Sequence, residues 1–181
     1  MIVNRKGIML ISFFVFIIGM CGCSKMTKTE ENLPDYVNFG QLIEGYGVED
    51  AVNDDCVVFV DSRLISGEDI WMSFMEKTEK KQSCRVRIAV NYSTESLFYL
   101  IDLSYEDSSF CVNTSEGLFK EYKYMNHYEI DMKNSDSDDS IIDCYLLTNQ
   151  ESVTYDEIEK SMASAILGDA IDHYIVYYNV F

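Results

Sequence analysis

The side chains of this 181-residue chain that could do chemistry are six cysteines, two histidines and 31 carboxylates. Their spacing matches no catalytic pattern. His127 sits beside Glu129 in an alternating segment and reads as exposed, and His173 has no partner motif. G-x-S-x-G, H-E-x-x-H and G-x-G-x-x-G are all missing, and Gly45-Tyr46-Gly47 stops short of the last. Asn134, Asp136 and Asp138 alternate like the front of a Ca²⁺ loop, but positions six and twelve hold Asp139 and Tyr145 where glycine and glutamate are needed. That stretch reads as a solvated hairpin tip. No catalytic residue, metal ligand or cofactor site is assigned from the sequence.

The cysteines carry more. Cys56, Cys84, Cys111 and Cys144 form no C-x-x-C pair, so zinc and thioredoxin-like chemistry lack their usual spacing. In an oxidising compartment four cysteines permit two disulfides in three connectivities, which stay open. Cys84 shares parity with Val86, Ile88 and Val90, which points to a buried thiol.

Cys23 is different, because of what precedes it. Arg5 and Lys6 form a basic head, an uncharged run of 15 residues spans Ile8 to Gly22, and Ser24 with Lys25 opens a polar segment. This is the layout of a secretory signal. The run is short for a permanent span, which needs roughly 20 apolar residues. Met20, Cys21, Gly22 and Cys23 resemble a bacterial lipobox, with Met20 where leucine is preferred. The resemblance implies that Cys23 is joined to diacylglycerol and becomes the first residue of the mature chain. An uncleaved N-terminal anchor and a released protein are the competing readings. One acyl chain holds a protein only marginally and two hold it firmly, each buried methylene contributing about 0.8 kcal/mol. The expected organisation is therefore a signal over 1–22, a flexible tether over 23–38 and a single domain over 39–181. The expected location is the outer leaflet of the cytoplasmic membrane, facing the cell wall.

Charge narrows the partners. The chain carries −17, and the signal holds two cations and no acid, so the mature form carries −19. Such a surface repels nucleic acid and anionic lipid heads. It suits a protein or peptide ligand, and cationic peptides, sugars and Ca²⁺ are compatible with it; solubility alone accounts for it too.

The elements that must position these groups follow from periodicity. Val48 to Asn53 reads as a short helix and Cys56 to Val60 as a strand. A helix begins at Ser66, which with Asp69 approximates a capping box, and Ile70, Trp71, Phe74 and Met75 form its buried stripe. Cys84 to Tyr92 is a strand with Arg85 and Arg87 facing away from the core. It pairs in a hairpin with Leu97 to Tyr105 across the loop 93–96. Ser109 to Thr114, Phe119 to Asp131 and Ile141 to Leu147 read as further strands. Thr154 with Glu157 caps a helix striped by Ile158, Met162, Ala165 and Ile166 and stopped at Gly168. The last segment, from Asp172, is apolar at both parities and reads as a strand buried on both faces. Its Tyr174, Tyr177 and Tyr178 are core candidates, with an aromatic binding face as the alternative. The fold class is α+β, an antiparallel-dominated sheet of six to seven strands packed on one or two helices.

Residues 46–147 also resemble a family of small lipoproteins of unknown function from Gram-positive bacteria. The matching residues are Val48 to Ala51 with Val57 and Val58, the helix through Phe74, Arg85 to Ile88, and Asp102 to Glu106. The family has Asn-Gly and His-Gly where this chain has Asn53-Asp54 and Asp61-Ser62. The resemblance implies a fold and a location and brings no activity. The function expected is that of a membrane-anchored extracytoplasmic binding module, with an acidic-residue hydrolase or an inhibitor of a secreted partner as rivals.

Overall fold

A computed structural model describes residues 33–94, 97–131, 141–163 and 170–181. The fold is α+β, and its strands form two sheets. The first has six: β1 (Val57–Val60), β2 (Arg63–Ser66), β3 (Cys84–Tyr92), β4 (Leu97–Glu106), β5 (Ser109–Thr114) and β6 (Phe119–Tyr122), ordered β2-β1-β3-β4-β5-β6. All neighbours are antiparallel except β1 and β3. The second has three: β7 (Tyr124–Asp131), β8 (Ile141–Thr148) and β9 (His173–Val180), antiparallel in that order. Among the described residues the α-helices are α1 (Val48–Asn53), α2 (Glu68–Glu79) and α3 (Tyr155–Ala163).

The single strand expected over Phe119 to Asp131 is two strands. The chain leaves one sheet at Tyr122 and enters the other at Tyr124, with the Lys123 amide donating to Asn149 Oδ1 at 3.2 Å. The far sides of the two sheets also meet. Val180 N donates to Ser62 O at 2.9 Å, and Leu64 N to the Asn179 side chain at 2.8 Å. The sheets are thus joined along both sides, and all nine strands send side chains into one core. Trp71 and Phe74 of α2 complete that core. Trp71 stacks on Tyr177 (4.8 Å, 27°) and meets the edge of Tyr145 (5.1 Å, 74°).

Two short turns make this possible. Asp61-Ser62 and Asp107-Ser108 each join paired strands through two residues with positive φ, the backbone that a two-residue hairpin turn demands. The first creates β2, which the sequence reading did not contain. It also moves the start of α2. Ser66 ends β2, so it does not cap the helix; the N-cap is Gly67, at φ 83° and without a side-chain bond.

The C-terminal strand departs from expectation as well. Tyr177 pairs with Tyr145 and Tyr174 with Leu147, although their parities differ, because a bulge slips the register between them. Apolar residues at both parities therefore reflect the bulge. Ile175 remains 36% exposed, so the strand is not buried on both faces. The expected cap of α3 is present: Thr154 N donates to Glu157 Oε2 at 2.8 Å and Glu157 N to Thr154 Oγ1 at 3.3 Å. Ile158 of α3 packs with Val153 on Leu146, covering the outer face of the second sheet. Met162 points to solvent, and Ala165, Ile166 and Gly168 lie outside the described residues. No disulfide joins Cys56, Cys84, Cys111 and Cys144 to one another, and Cys84 is buried as its parity requires, its Sγ 3.7 Å from Phe74 O.

Candidate binding site

The outer face of the six-stranded sheet carries a second, smaller core with a groove beside it. Ala51, Cys56, Val58, Ala89 and Leu100 form a small second core there, roofed by Phe39, Leu42, Tyr46 and Val48. The roof is the segment leading into α1. Asn38 Oδ1 accepts from Gly40 N at 3.0 Å and starts a 3-10 turn over Phe39–Gln41. Asp50 Oδ2 accepts from Gly47 N at 3.0 Å and satisfies one free amide at the start of α1.

Arg87 fastens this roof to the sheet. It does not face away into solvent as its alternation suggested: it is 1% exposed. Its guanidinium forms a two-pronged bridge to Asp102 (Nε to Oδ1 2.6 Å, Nη2 to Oδ2 2.9 Å) and lies under the rings of Tyr36 (4.8 Å) and Phe39 (4.7 Å). Burial works to lower the Arg87 pKa, but the bond and charge of Asp102 outweigh it and the pKa stands above its ordinary value. Leu33 to Asn38, assigned to the tether on sequence, therefore touches the domain through Tyr36.

Beside the roof lies a groove of about 230 Å³, lined by Val37, Leu42, Ile43, Tyr46, Asp50 and Asp54 among others. Val37 is 50% exposed and Ile43 64%. Tyr46 donates to Asp54 Oδ2 at 2.9 Å, and its hydroxyl lies 4.0 Å from Cys56 Sγ. Burial, then the carboxylate of Asp54, pushes the Tyr46 pKa far above the ordinary phenol range, so Tyr46 is a fixed donor. Burial pushes the Cys56 thiol up to about 11. Neither group is poised for proton transfer or nucleophilic attack near neutral pH. The carboxylates of the groove each accept a hydrogen bond from the segment they belong to.

A second hollow of about 290 Å³ opens where α2 and the start of β3 face Leu33 and Pro34, with Lys77 and Arg85 at its rim. On the second sheet, His127 is exposed as its position predicted. Its Nε2 pairs with Asp143 Oδ1 at 2.6 Å, and its ring stacks on Tyr145 (4.3 Å, 13°). His173 Nδ1 is 2.8 Å from Ile171 O. These two histidines come from different strands and share no partner. Asp61, Glu76 and Glu157 are held below their ordinary values by hydrogen bonds from Ser93, Lys80 and Thr154 respectively. Of the C-terminal tyrosines, Tyr177 is buried and Tyr174 packs against the main core. Burial pushes both up to about 12. Among the described residues no three His, Cys, Asp or Glu side chains converge as a metal site would require. Among them, too, no helix is long and apolar enough to cross a membrane.

The candidate lipid-attachment residue Cys23 and the acidic stretch Asn134–Asp139 lie outside the described residues. Sequence reasoning missed the groove and the Arg87 bridge. The bridge had a signal: a hairpin closing at 93–96 places residue 87 directly opposite residue 102, an arginine across from an aspartate. The groove had none, because the segment carrying Val37, Leu42 and Ile43 is laid on the sheet by Tyr36 and Phe39, which rest on that bridge far away in sequence. No family model, curated protein or solved structure matches the chain.

Proposed function

We propose that the chain is a lipid-anchored extracytoplasmic interaction module, of the kind its resemblance to small Gram-positive lipoproteins implies. In this reading Cys23 carries diacylglycerol on the outer leaflet of the cytoplasmic membrane. The ten residues from there to Leu33 reach at most about 35 Å. Attachment resides in the lipid, and the acidic domain is held off anionic headgroups by its own charge. The partner is a protein or peptide, and nucleic acid is disfavoured by the −17 balance.

The observation that carries the binding reading is the exposure of Val37 and Ile43 along the groove beside Tyr46. Aliphatic side chains left half or more in water on a built groove mark a contact surface better than scattered single ones do. The hydrolase rival asks for two free carboxylates with one held protonated. Asp50 and Asp54 are instead engaged as acceptors for Gly47 and Tyr46.

Mass spectrometry of the mature chain from a bacterial host with lipoprotein processing tests the anchor. Acyl mass at Cys23, and transfer of the Cys23→Ser variant to the soluble fraction, are the expected results. A mature chain without acyl groups at that position would end this reading.

A further inference from the structure

We infer that the groove beside Tyr46 takes a cationic amphipathic peptide segment, its Lys or Arg against Asp50 and Asp54 and its aliphatic side chain on Val37, Leu42 and Ile43. The inference rests on the binding-module reading and specifies its partner. Between Val37 and Cys56 the chain carries Glu44, Glu49, Asp50, Asp54 and Asp55 and not one lysine or arginine. Arg87, the cation beneath this segment, is bridged to Asp102 and roofed by Tyr36 and Phe39, so it offers the groove no exposed positive charge. Low-dielectric walls on one side and acids of a single sign on the other concentrate a negative potential where the aliphatic side chains stand in water.

Charge decides among occupants. A second copy of the mature chain would bring −19 against −19. Nucleic acid and an anionic membrane surface meet the same repulsion. A bare divalent cation would leave Val37 and Ile43 uncovered. A peptide alternating basic and aliphatic residues satisfies both halves of the surface, with the basic group drawing the encounter and the aliphatic contact slowing release.

The test uses the mature protein acylated at Cys23 in neutral phosphatidylcholine nanodiscs, with empty discs subtracted. Fluorescence anisotropy follows three labelled pentapeptides: Lys-Leu-Lys-Leu-Lys, Lys-Ser-Lys-Ser-Lys and Glu-Leu-Glu-Leu-Glu. Asp50→Asn with Asp54→Asn removes charge while keeping an acceptor for Gly47 and Tyr46. Val37→Ser with Ile43→Ser removes the aliphatic wall, and Glu106→Gln with Asp107→Asn removes two remote exposed acids. Circular dichroism and melting confirm that each variant folds. The expected result is binding of the Lys-Leu peptide above the other two, weakened about five- to tenfold by either groove pair and unchanged by the remote pair. Absence of binding, equal binding of the Lys-Ser peptide, no effect of either groove pair, or equal weakening by the remote pair overturns the inference. Because the acyl mass at Cys23 is read separately, failure of the groove and failure of the anchor give different results.

Discussion

Arg87 and Asp102 stand directly opposite each other on β3 and β4 and form the bridge on which the N-terminal segment rests. Asp102 is 19% exposed and Arg87 1%, so water screens this pair only weakly. Removing one partner of a buried pair leaves the other charge uncompensated, which typically costs about 3–5 kcal/mol.

Arg87→Ala is therefore expected to lower unfolding free energy by about that amount, and to release Tyr36 and Phe39 together. Replacing both Arg87 and Asp102 by apolar residues of similar volume should recover most of the loss, because no charge is then stranded. Urea unfolding of the two variants measures this directly. A single variant as stable as the parent would mean that the bridge is held open to water.

Gly67 gives a second prediction. A Cβ there would lie 2.5 Å from Cys56 O and 2.8 Å from Val57 Cα, both backbone atoms, and the residue has φ 83°. Left-handed strain and a backbone clash both act against Gly67→Ala, which is expected to cost more than about 2 kcal/mol. Gly117 has φ 89° and nothing within 4 Å of its Cβ position. Gly117→Ala should cost only the conformational strain, about 1 kcal/mol. Comparing the two urea midpoints isolates the clash.

Gly67 also shows where sequence reasoning stops. The stripe of α2, the parity of β3, the existence of β4 and β5 and the cap of α3 all follow from local spacing. Ser66 was the better local capping residue, yet β2 claims it, because Asp61-Ser62 closes a hairpin that its side chains barely announce. The alternation Glu121-Tyr122-Lys123-Tyr124 passes through Lys123 without a break, and nothing in it says that the strand changes partner there. Arg87 obeys the alternation and is still buried, since burial on that face depends on a segment some fifty residues earlier. Local periodicity thus fixes elements and faces. Which second layer covers a face depends on contacts distant in sequence.

Alkaline pH should unfold the protein over a defined window. Cys56 and Cys144 are held up to about 11 against an ordinary 9.0, and Tyr174 and Tyr177 up to about 12 against 10.0, in each case first by burial. The folded state holds these groups neutral, so their contribution is complete below pH 9. It declines once the unfolded chain begins to lose protons that the folded chain keeps, and is lost as pH rises through 11 to 12. Urea midpoints should be insensitive to these groups between pH 7 and 8.5 and fall steeply above pH 9.5. Tyrosinate absorbance should lag the pH at which free tyrosine ionises, until the fold collapses. Free ionisation of all tyrosines near pH 10 in the folded protein would contradict the burial of Tyr177.

Tyr177 and His127 lie on opposite sides of Tyr145 and should differ sharply in weight. Tyr177 is 5% exposed and touches Phe59 edge-on (4.9 Å, 88°), Trp71 stacked and Tyr145 edge-on (5.3 Å, 80°). Truncating a buried aromatic in such a cluster costs about 3–5 kcal/mol through lost burial and the cavity left behind. His127 stacks on Tyr145 from outside with a side chain 44% exposed, and its Asp143 partner is also reached by water. An exposed pair of this kind is worth at most about 1 kcal/mol. Trp71 is the only tryptophan, so its emission reports on the cluster without labelling. Tyr177→Ala should lower the midpoint strongly and shift folded-state emission to the red, while His127→Ala leaves emission in place and moves the midpoint little. If His127→Ala proved the more damaging, the outer stack would be holding Tyr145 against Trp71, and the order of support within the cluster would run from the surface inward.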